Sequence, residues 1–169
     1  MTVLETAKKM IDYSHGNLHD INHFMKVYAY AKMIADGEQL DPDTQKLVEM
    51  TALVHDIACP LCRVKSGNTN GKNQEKESAA LIAEFFKDSN LPQDFTDRIS
   101  FLVSHHHTLD QIDGIDYQII IEADYLVNAD ESHFSGHNIK NMYDKIFKTE
   151  TGKFLLRSMY QNCLENETL

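Results

Sequence analysis

Proline, glycine, cysteine and positive charge are all in short supply in this chain. Three prolines and seven glycines in 169 residues leave long stretches without a helix breaker. Three cysteines make an odd number, from which no disulfide framework follows. Sixteen Lys and Arg stand against 26 Asp and Glu, a formal net charge of −10. Such a surface disfavours nucleic-acid polymers and anionic membranes as general partners. It still allows a small phosphorylated ligand, which needs only a local positive pocket. No apolar run approaches the ~20 residues of a membrane-spanning helix. The segment MTVLETAKKM reads as an amphipathic helix with acid in it, not as a signal peptide. A cytoplasmic, reduced protein is therefore expected. Internal repeats, low-complexity segments and useful strand alternation are lacking too.

What is present is helical periodicity. Residues 2–14 place Val3, Ala7, Met10 and Ile11 on one face, and residues 20–36 carry a 3.6-residue apolar stripe from Ile21 to Ala35. Asp20 is a candidate N-cap for the second helix and Gly37 its stop. Asp41-Pro42 opens a third, running to about Asp56. Residues 57–73 hold Pro60, Gly67, Gly71 and several Asn, and read as a long loop of the kind that often serves binding. Helices are expected again over 74–88 (Ala79, Ile82, Ala83 and Phe86 on one face), from Pro92 toward the histidine triplet, and over 116–130, 138–147 and 150–163. YQIII (117–121) is β-like in composition, but its longer apolar context favours a buried helix. At this length one domain is the simplest organisation.

The informative polar residues interrupt apolar helices. His55-Asp56 closes LVEMTALVHD (47–56). His23 lies about 30 residues upstream, His105-His106-His107 downstream, and Asp124 inside QIIIEADYLV. Each has a plainer reading. His23 can be a surface imidazole beside capping residues, and His55 a histidine favoured by a helix C-terminus. Asp56 strains that second reading, because a carboxylate at a helix C-terminus needs compensating positive charge. Asp124 needs a partner too, since an unpaired buried carboxylate is costly; Arg98, a lysine or a metal would serve. Neutral imidazoles with carboxylates suit a divalent transition metal.

On HDINHFMKVYAYAKMIA (19–35), ALVHDIACP (52–60) and IEADYLVN (121–128), the chain resembles the HD-domain superfamily of metal-dependent phosphohydrolases, whose pattern is H…HD…D. The segment QEKESAALIAEFF (74–86) looks like the helix after the HD pair. The resemblance covers roughly residues 15–130. It implies an all-α bundle of about seven or eight helices in one domain over 1–169, with helices of 138–165 packed on the motif-bearing core. It implies one divalent metal (Mn, Fe, Co, Ni or Zn) on His23, His55, Asp56 and Asp124. The activity implied is attack of metal-activated water on a small phosphate ester or nucleotide, with Asp56 orienting the nucleophile.

The chain departs from parts of the pattern. Members with two metals use extra histidines, one near the position of Gln74, where none stands here. The other falls in the triplet, so His105 or His106 is expected near the substrate phosphate or on a weak second site. The position three after Asp56, a glutamate in some members, is Cys59; Glu77 is a candidate replacement, though an exposed helical glutamate is the plainer reading. Arg63, Lys65 and Lys72 would either clamp an anion or belong to a solvated loop. Cys59 and Cys62 form a C-x-x-C without a second pair, and free thiols are expected, as for Cys163. His133 and His137 read as loop residues. The C-terminal face of Phe154, Leu155, Leu156, Met159 and Tyr160 reads as core, with a homodimer contact as the alternative. Two other functions compete: a di-iron oxygenase, disfavoured by Gln74, and a non-catalytic metal- or nucleotide-binding module.

Overall fold

Short polar side chains start most of the helices. Thr2 and Glu5 form a capping box ahead of α1 (Val3–Tyr13). Asn17 accepts the Asp20 amide ahead of α2 (Leu18–Gly37), and Asp41 with Pro42 starts α3 (Pro42–Val54). Asn70, Ser135 and Thr149 cap α5 (Gly71–Phe86), α8 (Gly136–Lys145) and α9 (Glu150–Met159). The remaining helices are α4 (Cys59–Ser66), α6 (Gln93–Val103), α7 (Ile115–Glu131) and the short α10 (Gln161–Glu165). This computed structural model describes residues 1–165, and among them there is no strand. The chain is an all-α bundle. No helix of the described residues is long and apolar enough to cross a membrane.

Two apolar clusters meet along α7. One joins α2, α3, α7 and the C-terminal helices through Val27, Ala31, Ile34, Ile120, Leu126 and Leu156. The other joins α1, α2, α3, α5, α6 and α7 through Met10, Phe24, Leu53, Ile82, Leu102 and Tyr117. α7 is buried without a break from Tyr117 to Val127, which accounts for its apolar composition on every face. YQIII is part of this helix.

Several local readings need correcting. Residues 57–73 are not a long loop: α4 occupies Cys59–Ser66, and only the short link 67–70 separates it from α5. Pro60 sits in the first turn of α4, where its missing N–H costs nothing, and left-handed Gly67 ends the helix. The punctuation that suggests a loop thus marks helix ends. Asp20 lies in the first turn of α2 rather than at its cap, and Pro92 precedes α6 as its N-cap. α8 begins at Gly136, so His137 is helical and contacts Asn141, while His133 occupies a turn. The last helix breaks at Tyr160. Of its apolar face, Leu156 is buried, but Phe154 and Met159 are exposed. Ile11 is exposed on α1, as are Ala79 and Ala83 on α5, whose inner face is Gln74, Ser78, Ile82, Phe85 and Phe86.

A buried carboxylate fastens α9 to α7. Glu122 accepts hydrogen bonds from Gln118 Nε2 (2.7 Å), Lys148 N (2.6 Å), Thr149 N (3.1 Å) and the Thr149 hydroxyl. Thr149 Oγ1 in turn accepts the Gly152 amide at 2.9 Å. A Cβ on Gly152 would stand 2.0 Å from Glu122 Oε2 and 2.6 Å from Thr149 Oγ1. Helix propensity alone favours Gly152→Ala by up to about 1 kcal/mol. Crowding of the buried carboxylate reverses the sign and costs about 2 kcal/mol, so thermal unfolding should show a Tm lower by roughly 4–8 °C. An unchanged or higher Tm would show that the Glu122 contact is not a constraint.

Candidate metal centre

Four elements deliver the ionisable cluster. α2 contributes His23, the end of α3 contributes His55 and Asp56, α7 contributes Asp124, and the turn after α6 contributes His106. His23, His55, His106 and Asp124 are buried, and Asp56 is partly buried. His23 Nε2 lies 3.2 Å from His55 Nε2, and Asp124 Oδ1 lies 3.3 and 3.4 Å from those two nitrogens. Asp56 Oδ2 stands 3.5 Å from His23 Nε2 and 3.7 Å from His55 Nε2; its Oδ1 stands 3.7 Å from His106 Nε2. The structure thus brings His23, His55, Asp56 and Asp124 together, with His106 beside Asp56.

The backs of the rings explain why their Nε2 atoms face inward. His55 Nδ1 is 2.8 Å from the Ala52 carbonyl and His106 Nδ1 is 2.8 Å from that of Val103. A carbonyl only accepts, so each Nδ1 carries the proton, and in the neutral ring Nε2 keeps its lone pair. Both carbonyls lie at helix C-termini, where the last turn leaves acceptors without intrahelical partners. His23 Nδ1 has a carboxylate instead, Glu131 Oε2 at 2.8 Å, and Glu131 also takes Lys26 Nζ at 2.9 Å. Asn128 Nδ2 donates to Asp124 Oδ1 at 2.8 Å. Such outer contacts fix the orientation and raise the basicity of a metal-binding imidazole.

Charge is concentrated at this point. Burial pushes the Asp56 carboxyl up, but His55 and His106 outweigh it and hold the group well below the usual carboxylate range. Burial acts the same way on Asp124, and His23 and His55 overcome it. Burial disfavours the His23 cation, yet Asp124, Asp56 and Glu131 bring its pKa to about 9. In the metal-free chain a proton on His23 therefore does part of what a cation between these carboxylates would do.

Among the described residues, three groups of side chains have ligand atoms close enough to hold an ion: His23 with His55 and Asp124, His55 with Asp56 and His106, and His106 with His107 and Asp124. Two buried atoms here lack a hydrogen-bond partner, His106 Nε2 and Gln74 Oε1. An orphaned imidazole nitrogen beside two ionised carboxylates suits a divalent cation. The donor set, imidazole with carboxylate, fits the harder and borderline transition metals.

The other residues singled out in the sequence divide. A cavity of about 280 Å³ opens beside His23, Asp56 and Asp124, and Arg63 lines it, but Nη1 and Nη2 are both engaged by Asp20 at 2.6 Å. Lys65 pairs with Glu77 at 2.9 Å, and neither lines that cavity; Lys72 is exposed in the first turn of α5. His105 turns its Nδ1 to the Phe101 carbonyl and stacks on the Phe101 ring, outside the three groups. Cys59 lines the cavity, and burial together with Asp56 pushes its thiol up, keeping it protonated. Cys59, Cys62 and Cys163 are free. Gln74 and His107 line the cavity, and so do two residues that escape a reading of the motif alone, Asn128 and Glu131. Asn128 and Glu131 follow Asp124 by four and seven residues, one and two turns along the same face, which is the signal that could have found them.

A family model, that of the HD domain, matches residues 20–130. No match was found among curated proteins or among solved structures. HD domains typically bind divalent metals, and the matched span contains every residue of the cluster.

Metal binding should release a proton. Ligation through His23 Nε2 requires that atom unprotonated, so over the pH range below about 9 an ion competes with a proton. Apparent affinity should rise with pH across that window. Calorimetric titration with Mn²⁺ at pH 7.5, in buffers of different ionisation enthalpy, should report release of about one proton per ion. His23→Gln should remove that release; no buffer dependence in the unmodified protein would show that His23 is not the protonated group.

Proposed function

The chain belongs to the HD-domain family, and from that premise we propose that it is a metal-dependent phosphohydrolase acting on a small phosphate ester. The observation that carries this reading is the cluster itself: inward-facing imidazole nitrogens and two ionised carboxylates, with His106 Nε2 buried, without a hydrogen bond and facing Asp56. His23, His55, Asp56 and Asp124 would hold the ion. When bound, it supplies Lewis-acid polarisation of a phosphoryl oxygen and lowers the pKa of water.

The protein's own groups do the rest. Glu131 and the Ala52 carbonyl hold His23 and His55 in register, and Asn128 fixes one oxygen of Asp124. Asp56 Oδ1, turned toward His106, accepts a hydrogen bond from the attacking water and aims it at phosphorus. A new bond forms between water oxygen and phosphorus, the ester P–O bond breaks, and the alcohol leaves. The buried, low-dielectric surroundings strengthen these interactions.

The groupings His55–Asp56–His106 and His106–His107–Asp124 favour a second, weaker ion position sharing the same carboxylates. The family's other histidine position holds Gln74, whose Nε2 is committed to the Thr69 carbonyl at 2.9 Å. Its amide oxygen is a neutral, weak ligand. A tightly held di-iron pair for oxygen chemistry is therefore less well supported than hydrolysis with one firmly bound metal.

Protein loaded in turn with Mn, Fe, Co, Ni and Zn should hold about one firmly bound ion per chain and release phosphate from at least one small ester. Asp56→Ala should lose ion and turnover together while keeping its helical circular dichroism. Glu131→Ala should lower metal affinity or activity roughly 10- to 100-fold by freeing the His23 ring. Full metal occupancy in Asp56→Ala, or oxygen consumption with Fe(II) in place of phosphate release, would overturn the reading.

A further inference from the structure

A second cavity, of about 360 Å³, lies on the other side of the Asp124–Asn128 turn of α7. It shares His107, Asp124 and Asn128 with the cavity of the metal centre, so the two adjoin across those side chains. The rest of its wall is mostly apolar: Leu109, Ile121, Tyr125, Phe134 and Met142. The Tyr125 and Phe134 rings stand 5.6 Å apart, tilted by 40°. The polar groups on this wall are largely engaged. Tyr125 Oη donates to Asn138 Oδ1 at 2.6 Å, and Asn128 Nδ2 to Asp124.

Charge decides what such a recess can accept. No lysine or arginine is among its lining residues; its histidines are His107 and His106, whose Nε2 faces Asp56 Oδ1 at 3.7 Å. On the metal side the lining groups that can carry positive charge include Arg63, both of whose terminal nitrogens are taken by Asp20, and His23, which faces Asp56, Asp124 and Glu131 and would give up its proton to a bound metal. Asp20, Asp56, Asp124 and Glu131 line that side as well. A phosphoryl group on the metal is compensated by the metal. A second phosphate would meet carboxylates without an uncommitted cation. A flat uncharged ring, in contrast, gains by leaving water for a wall that carries two aromatic side chains.

Resting on the phosphohydrolase reading, we propose that this recess receives the organic part of the substrate, a flat uncharged ring, and that the substrates are monophosphate esters of ring-bearing alcohols rather than polyphosphates. Leu109, Phe134 and Met142 are then specificity residues, with His107 and Asn128 at the junction between ring and phosphoryl group.

The test uses two non-hydrolysable probes on the metal-loaded full chain, so that binding is read without turnover. Benzylphosphonate offers phosphoryl group and ring; methylphosphonate offers the phosphoryl group alone. Calorimetry should find benzylphosphonate tighter by roughly tenfold or more. Phe134→Ala and Leu109→Ala should each bring the ratio of the two affinities down at least roughly threefold. Leu109 is already 38 % exposed, so its truncation tests the recess even where Phe134→Ala disturbs packing. A ratio near one with methylphosphonate still bound would overturn the recess and leave the metal–phosphoryl reading standing. A ratio untouched by both substitutions would place the ring elsewhere. Binding of neither probe would overturn both readings. A ratio that responds as expected in a protein that hydrolyses no ester would keep the recess and remove the hydrolase.

Discussion

Two carboxylates, Asp124 buried and Asp56 partly buried, set the terms for this structure. Asp56 and Asp124 both approach the Nε2 atoms of His23 and His55, and both remain ionised. Like charges brought together out of water are unfavourable without a cation among them. The surrounding helices make sense as the means of holding that arrangement: α2, α3, α7 and the turn after α6 each contribute a side chain, and α7 is buried along most of its length to carry Asp124 inward. The protonated His23 supplies part of the missing positive charge, and a divalent ion would supply all of it.

The geometry repeats one device. His55 and His106 stand just beyond helix C-termini, and each ring returns its Nδ1 to a carbonyl three residues back. A carbonyl that the helix leaves without a partner thereby becomes the element that fixes a tautomer. His23, in mid-helix, has no such carbonyl, and Glu131 from α7 takes that place. Hydrogen-bonding needs of the helix ends and orientation of the imidazoles are met by the same contacts.

Much of this was legible in the sequence, for identifiable reasons. Long apolar periods and residues such as Asp41 and Pro42 mark α2, α3 and α7 because caps and burial act locally. His23, His55, Asp56 and Asp124 stand out because each interrupts an apolar pattern at a cost. α4 was not legible: Pro60 and Gly67 punctuate its ends, and a short helix between two such residues reads as a loop. Arg63, Lys65 and Glu77 looked available in sequence because pairing with Asp20, or of Lys65 with Glu77, depends on how α4 lies against α2 and α5. The apolar recess depends on side chains from separate elements, and no local pattern encodes it.

The proposed site offers imidazole and carboxylate, and not thiol, to a metal ion. Cys59 is close enough to the centre to line its cavity, so the distinction is a real one. X-ray absorption at the metal edge, on protein loaded with one equivalent of Zn²⁺, separates the cases directly. The structure predicts nitrogen and oxygen neighbours at about 2.0–2.2 Å, with the outer-shell scattering of at least two imidazole rings. A sulfur neighbour at about 2.3 Å, or an all-oxygen shell without imidazole scattering, would contradict it.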